Sequence, residues 1–116
     1  MKKNLSLEKI KEERRRSRID KISSLIKKAV AEIFLTLDIN DSDGKNILFF
    51  VSHVNLSGDG RSAKVYLESI QDYPKDWLLG LIQKNSIKIK KAFSSKIDLR
   101  YTPKLKFEIL NKKKIT

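Results

Sequence analysis

The side chains of this chain best suited to chemistry are cations. Lys and Arg number 26 against 14 Asp and Glu, a formal charge of +12. The excess is clustered. Residues 84–116 carry Lys84, Lys88, Lys90, Lys91, Lys96, Arg100, Lys104, Lys106, Lys112, Lys113 and Lys114, with only Asp98 and Glu108 opposing them. A second concentration is Arg14, Arg15, Arg16 and Arg18, and Arg61 stands between the two. Such groups grip polyanions, neutralising phosphates and releasing counterions without reading base sequence. Residues for bond-making chemistry are scarce. His53 is the single histidine; it follows Ser52 in a strand pattern, and a general base with no partner is not a mechanism. Asp38, Asp41 and Asp43 crowd one loop, but counting from Asp38 the sixth position is Asp43 rather than Gly and the twelfth is Phe49 rather than Glu, which rejects a calcium loop. There is no cysteine, so disulfides and thiolate metal sites are excluded. Gly44, Gly58, Gly60 and Gly80 form no phosphate-cradling loop. The expectation is a non-enzymatic chain with no cofactor and no metal.

The elements that must position these cations follow from apolar spacing. Ile19, Ile22, Ile26, Ala29, Val30, Ile33, Phe34 and Leu37 form one stripe at three- and four-residue steps, which predicts a helix over 17–37. Residues 1–16 have no such stripe and are expected as a basic, flexible arm, in which any helix would be solvated. Residues 38–44 read as a loop. The β-branched and aromatic run 47–56 predicts a strand, Gly58-Asp59-Gly60 a turn, and the alternation of Ala63, Val65 and Leu67 with Lys64, Tyr66 and Glu68 a second strand. A helix carries Leu78, Leu81 and Ile82, with Trp77 expected in the core, and another carries Ile89, Ala92, Phe93 and Ile97. Asn85 and Ser86 interrupt the stripe between them and suit a kink, with Ser86 as its cap. After Pro103, Leu105, Phe107 and Ile109 alternate with Lys104, Lys106 and Glu108, which puts two lysines on the wet side of a final strand.

At 116 residues and 40% apolar composition the chain supports one core without staples. The longest apolar run, residues 47–51, is far too short to span a bilayer, and no secretory signal pattern opens the sequence, so a cytoplasmic location is expected. Docking of a basic helix on a membrane surface fits poorly, because the stripe on residues 19–37 is needed for the core. The order helix, strand, strand, helix, kink, helix, strand gives an α+β domain, a three-stranded sheet with helices on one face. That layout matches the KH architecture of the prokaryotic type, which handles single-stranded RNA. The Gly-x-x-Gly loop of RNA-binding KH domains is missing, which leaves docking of a basic surface on structured RNA. Tyr66 and Tyr101 are candidates for stacking on bases.

Several strings together resemble the ribosome-binding factor A family: Arg18-Ile19 opening the first helix, Val54-Asn55-Leu56-Ser57-Gly58-Asp59, Ala63-Lys64-Val65-Tyr66, and Leu99-Arg100-Tyr101-Thr102-Pro103-Lys104-Leu105-Lys106-Phe107. The resemblance covers about residues 14–110. It departs from the family pattern at Asp41-Ser42-Asp43-Gly44, where Asp-Pro-Arg is usual, and at Asn85-Ser86-Ile87, where Ala-x-Gly is usual. It implies a KH-like domain over 17–110, flanked by the arm 1–16 and a basic tail 111–116. It further implies a monomeric maturation factor that binds the free small (30S) ribosomal subunit and its 16S rRNA and assists late rRNA folding and processing, with no DNA or membrane partner. A resident ribosomal protein or a general RNA chaperone of similar fold is the alternative. The rRNA-binding residues expected on this reading are Arg14, Arg15, Arg16 and Arg18 beside the first helix, Arg61 at the hairpin, Lys88, Lys90 and Lys91 on the last helix, Arg100, Lys104 and Lys106 along the sheet edge, and Lys112, Lys113 and Lys114 in the tail.

Overall fold

The structure, a computed structural model, describes residues 2–110. Its first element is set by the apolar stripe: Ile26, Val30 and Ile33 are wholly buried, with Ala29 and Phe34 beside them. Together they make one face of α1, Lys2–Thr36. The structure departs here from the expected arm, since α1 starts at Lys2 and no boundary falls at residue 17. The reason is that a helix, once nucleated, propagates through good helix formers without a stripe. Residues 2–18 contain neither Gly nor Pro, and Glu12 precedes Arg16 by one helical turn in the favourable order. Residues 7–18 are exposed throughout, so this half of α1 runs past the core into solvent. A 35-residue helix is about 52 Å long, which accounts for a molecule measuring 66 Å along one axis and 18 Å along another.

After α1 the chain folds back through a loop tied by Asp41, whose Oδ1 accepts hydrogen bonds from the Asp43 and Lys45 N–H groups at 2.9 and 2.8 Å. Asp41 is thus a turn former. Ile39 and Ile47, at the two ends of the loop, are buried in the core. β1 (Phe49–Leu56) pairs antiparallel with β2 (Ser62–Ser69). The register shifts between Val51 and His53, leaving Ser52 as an extra residue. That bulge restores the alternation: Val51 and Val54, three residues apart, both face inward opposite Leu67 and Val65, while His53 and Asn55 face out.

α2 (Lys75–Lys84) and α3 (Ser86–Lys96) follow, and the helix breaks at Asn85. The Asn85 side chain makes the break: its Nδ2 donates to the Leu81 carbonyl at 2.8 Å. Ser86 does not cap, since no side-chain cap bond exists at the start of α3. β3 (Lys104–Ile109) then pairs parallel with β2, giving the sheet order β1-β2-β3. α1 lies over β1, α2 over β3, and α3 packs on α1. This is the expected α+β, KH-like arrangement with all three helices on one face. The core between the layers is apolar, and at its centre the Phe34 ring meets Phe49 at 5.4 Å and Phe107 edge-on at 5.9 Å. Trp77 lies outside that core, 37% exposed and stacked on Tyr73 at 4.5 Å. It sits on the exposed side of the first turn of α2, whose inward positions are taken by Leu78 and Ile82.

Candidate nucleic-acid interface

The cations belong to three places on this scaffold, and one of them is a groove. α1 contributes Arg15, Arg18, Ile19 and Ile22 to it. These four stand at i, i+3, i+4 and i+7, in phase with the buried stripe, so Arg15 and Arg18 continue the core-facing side of the helix beyond the apolar positions. Arg14 and Arg16 lie about 100° to either side of Arg15 and face solvent. The β1–β2 turn supplies Gly58, Asp59 and Gly60, and the loop from α3 to β3 supplies Leu99, Arg100, Tyr101 and Pro103. The space enclosed is ≈ 550 Å³.

The turn is firmly built. Ser57 Oγ donates to Asp59 Oδ1 at 2.6 Å, the Arg61 N–H donates to the same oxygen at 3.0 Å, and Gly60 takes a φ of 72°. The Ser57 hydroxyl first, then the Arg61 N–H, hold the Asp59 carboxyl below the usual carboxylate range. Gly58 allows a close approach: a methyl built on it would lie 3.2 Å from Arg15 Nη2. Across the groove the Arg100 guanidinium carbon sits 5.9 Å from the centre of the Tyr101 ring, which is itself 72% exposed. Among the described residues no carboxylate forms an ion pair with Arg15, Arg18 or Arg100; the two pairs present are Lys64–Glu108 and Lys96–Glu32. Three guanidinium groups therefore line one space without an ion-pair partner among the described residues.

Arg61 and Lys104 flank this groove, both exposed and joined by the Lys104 N–H to Arg61 carbonyl bond of 2.9 Å. The second place is the open face of the sheet. Lys106 stands there in register with Lys64, and Lys64 is tied to Glu108 at 3.1 Å, an interaction that raises the Lys64 pKa. Tyr66 faces outward as expected, but one face of its ring is covered by His53, stacked at 4.1 Å. The third place is α3, where Lys88, Lys90 and Lys91 are exposed and line no part of the groove. Asn85 and Ser86 shape the helix break and are half-buried. Lys112, Lys113 and Lys114 fall outside the described residues. In the sequence the arginines of α1 and Arg100 read as separate patches. The signal that joins the first two to the groove is the phase of Arg15 and Arg18 with the stripe.

Among the described residues no group of three His, Asp or Glu is placed to hold a metal ion, and no helix is long and apolar enough to cross a membrane. The arrangement is one for holding phosphate oxygens by charge-assisted hydrogen bonds.

Comparison with known proteins gives a consistent outcome. Residues 18–112 match the family model for ribosome-binding factor A. A ribosome-binding factor A of Zymomonas mobilis is 29% identical over 87 residues, an alignment covering 75% of this chain and 62% of that protein. The chain thus spans about three fifths of the length of that relative. The crystal structure of ribosome-binding factor A from Thermus thermophilus superposes with a TM-score of 0.65 at 23% identity, covering 78% of this chain and 93% of that one. A homology model of the Thermus thermophilus factor, fitted into the cryo-EM map of a 30S complex of that factor, superposes with a TM-score of 0.56 at 24% identity, covering 72% and 86%.

Proposed function

The chain belongs to the ribosome-binding factor A family, and from that membership we propose that it is a ribosome maturation factor that binds the free small (30S) subunit and assists late 16S rRNA folding and processing. The match over residues 18–112 carries this reading, and the related factor fitted into a 30S complex supports it. The chemistry needed is binding alone. Unpaired guanidinium groups and exposed lysines, fixed on a rigid sheet-and-helix frame, favour whichever rRNA conformation brings phosphates to them, and no bond is made or broken. The protein acts as a monomer in the cytoplasm, where it meets the subunit before translation begins.

The test is co-sedimentation of the full chain with purified free small subunits and with translating ribosomes over a range of salt concentrations. The expected result is binding to free subunits that weakens steeply and linearly on a log–log salt plot, and absence from polysomes. A steady presence in polysomes points instead to a resident ribosomal protein. Binding that ignores salt removes the electrostatic account altogether.

A further inference from the structure

We propose that the groove between α1, the β1–β2 turn and the 97–103 loop is a receptor for one unpaired ribonucleotide, gripping its phosphate with Arg15, Arg18 and Arg100 and stacking its base on Tyr101. The inference rests on the reading above that the partner is RNA, and adds which RNA conformation is selected and where it is held.

The groove contains more than charge. A duplex backbone asks only for cations, and the lysines of α3 already supply those. This groove has in addition an apolar floor, made by Ile19, Ile22, Leu99 and Pro103, which gains nothing from a phosphate. Tyr101 stands beside it, 72% exposed, with the Arg100 guanidinium carbon 5.9 Å from its ring centre. An exposed aromatic side chain next to unpaired guanidinium groups and an apolar surface matches a group that is flat and apolar on its faces and anionic at one end. A nucleotide is such a group, and only an unpaired one exposes its face for stacking. The size agrees, since ≈ 550 Å³ falls in the range of about 300–1,000 Å³ usual for small-molecule pockets.

Charge favours the same occupant. Three arginines against the one lining carboxylate, Asp59, leave the groove cationic. Asp59 Oδ1 is already engaged by the Ser57 hydroxyl and the Arg61 N–H. Its other oxygen remains available to accept a hydrogen bond from a ribose hydroxyl or a base N–H. At Gly58 the Arg15 guanidinium lies close to the turn, 3.2 Å from where a Cβ would stand.

The test compares the wild-type chain with Tyr101→Ala, with Tyr101→Phe, and with the triple change Arg15→Gln, Arg18→Gln and Arg100→Gln. The probes are a short single-stranded oligoribonucleotide carrying one fluorescent adenine analogue, and an RNA duplex with the same number of phosphates. These side chains are exposed or lie at the surface of the groove, so circular dichroism should stay unchanged in every variant. Tyr101→Ala should weaken single-strand binding by between roughly fivefold and a hundredfold and leave duplex binding alone. Tyr101→Phe should restore it. The triple change should lower the single-strand salt slope by about 0.7, the contribution of the one phosphate the three arginines hold. If Tyr101→Ala leaves single-strand binding unaltered, or weakens both probes equally, the proposal is overturned. Co-sedimentation of the wild type with small subunits, run in parallel, keeps the two readings apart. Wild-type sedimentation with a silent Tyr101→Ala sinks the groove and spares the family function, whereas selective single-strand loss without sedimentation does the reverse.

Discussion

Reversing the charge of Lys88, Lys90 and Lys91 to Glu separates binding from folding, because the two should respond in opposite senses. At about 100° per residue, Ile89 and Phe93 centre the buried face of α3, Lys91 lies opposite, and Lys88 and Lys90 flank it. All three lysines are exposed, and none has an ion-pair partner among the described residues. The stability cost is therefore small. Lys and Glu have similar helix propensity. The first turn of α3 contains no acid and does contain Lys88, so Glu at that position gains about 0.3–1 kcal/mol from the helix dipole. The variant should melt at or slightly above the wild-type temperature. Binding moves the other way. Each reversal removes two units of charge, so the net charge falls from +12 to +6 (12 − 3 × 2). If each lysine neutralises one phosphate, the log–log salt slope drops by about 2–3. Between about 50 and 200 mM salt, wild-type affinity should then fall roughly 40-fold further than that of the variant, which starts weaker. Co-sedimentation with free small subunits across a salt series, with thermal melting by circular dichroism, measures both effects. Equal affinity and equal slope at unchanged melting temperature would remove α3 from the interface. A loss of stability beyond about 1 kcal/mol would contradict the solvated placement of these lysines.

Two further outcomes follow from the packing and the turn. Phe93→Ala, at a site only 2% exposed, should cost about 3–5 kcal/mol out of the roughly 5–15 available to a small domain, read by denaturant unfolding. Because α3 carries the 97–103 loop, binding should fall with the folded fraction; a loss under about 1 kcal/mol would mean the site collapses around the change. Asp59→Asn should alter the acid limb of stability. The folded carboxyl is held below its usual range, so its contribution is fully present above that range and is lost as the pH falls through the depressed value. The melting-temperature gap between wild type and variant should therefore be constant near neutrality and close in acid, and a gap that persists unchanged to low pH would contradict the hydrogen bonds assigned to Asp59.

How far the fold is legible in the sequence depends on whether the information is periodic. The stripe from Ile19 to Leu37, the alternation in β2 and β3 and the break before α3 are repeating patterns or interruptions of them, and each stands at the expected place. What is not legible lies where periodicity stops or is solvated. The first half of α1 buries no side chain that the structure describes, so it leaves no apolar pattern, although its composition permits a helix. The Ser52 bulge leaves a trace, since Val51 and Val54 cannot share a face of an uninterrupted strand. The hydrophobicity of Trp77 points to the core, but its position in the first turn of α2 decides its exposure. Asn85, rather than Ser86, finishes the kink because its longer amide side chain reaches back to the Leu81 carbonyl. As for the groove, Arg15 and Arg18 are legible in phase with the stripe, but their meeting with Arg100 is not, since that is a matter of strand direction.

Strand direction creates the groove. β3 runs parallel to β2, with Ser62 opposite Lys104, so the entrance to β3 lies at the same end of the sheet as the β1–β2 turn. A parallel neighbour requires a crossover, here α2 and α3, which carries the chain from the far end back to the start. Were β3 antiparallel, Arg100 and Tyr101 would enter at the opposite end, displaced by the length of β2, about 26 Å for eight residues. That exceeds any side chain's reach, and Arg15 and Arg18 would face the hairpin alone. The site is therefore a product of the longest-range pairing in the fold. α1 with the β1–β2 hairpin carries two of its arginines, but the third arginine and the tyrosine arrive only when β3 docks.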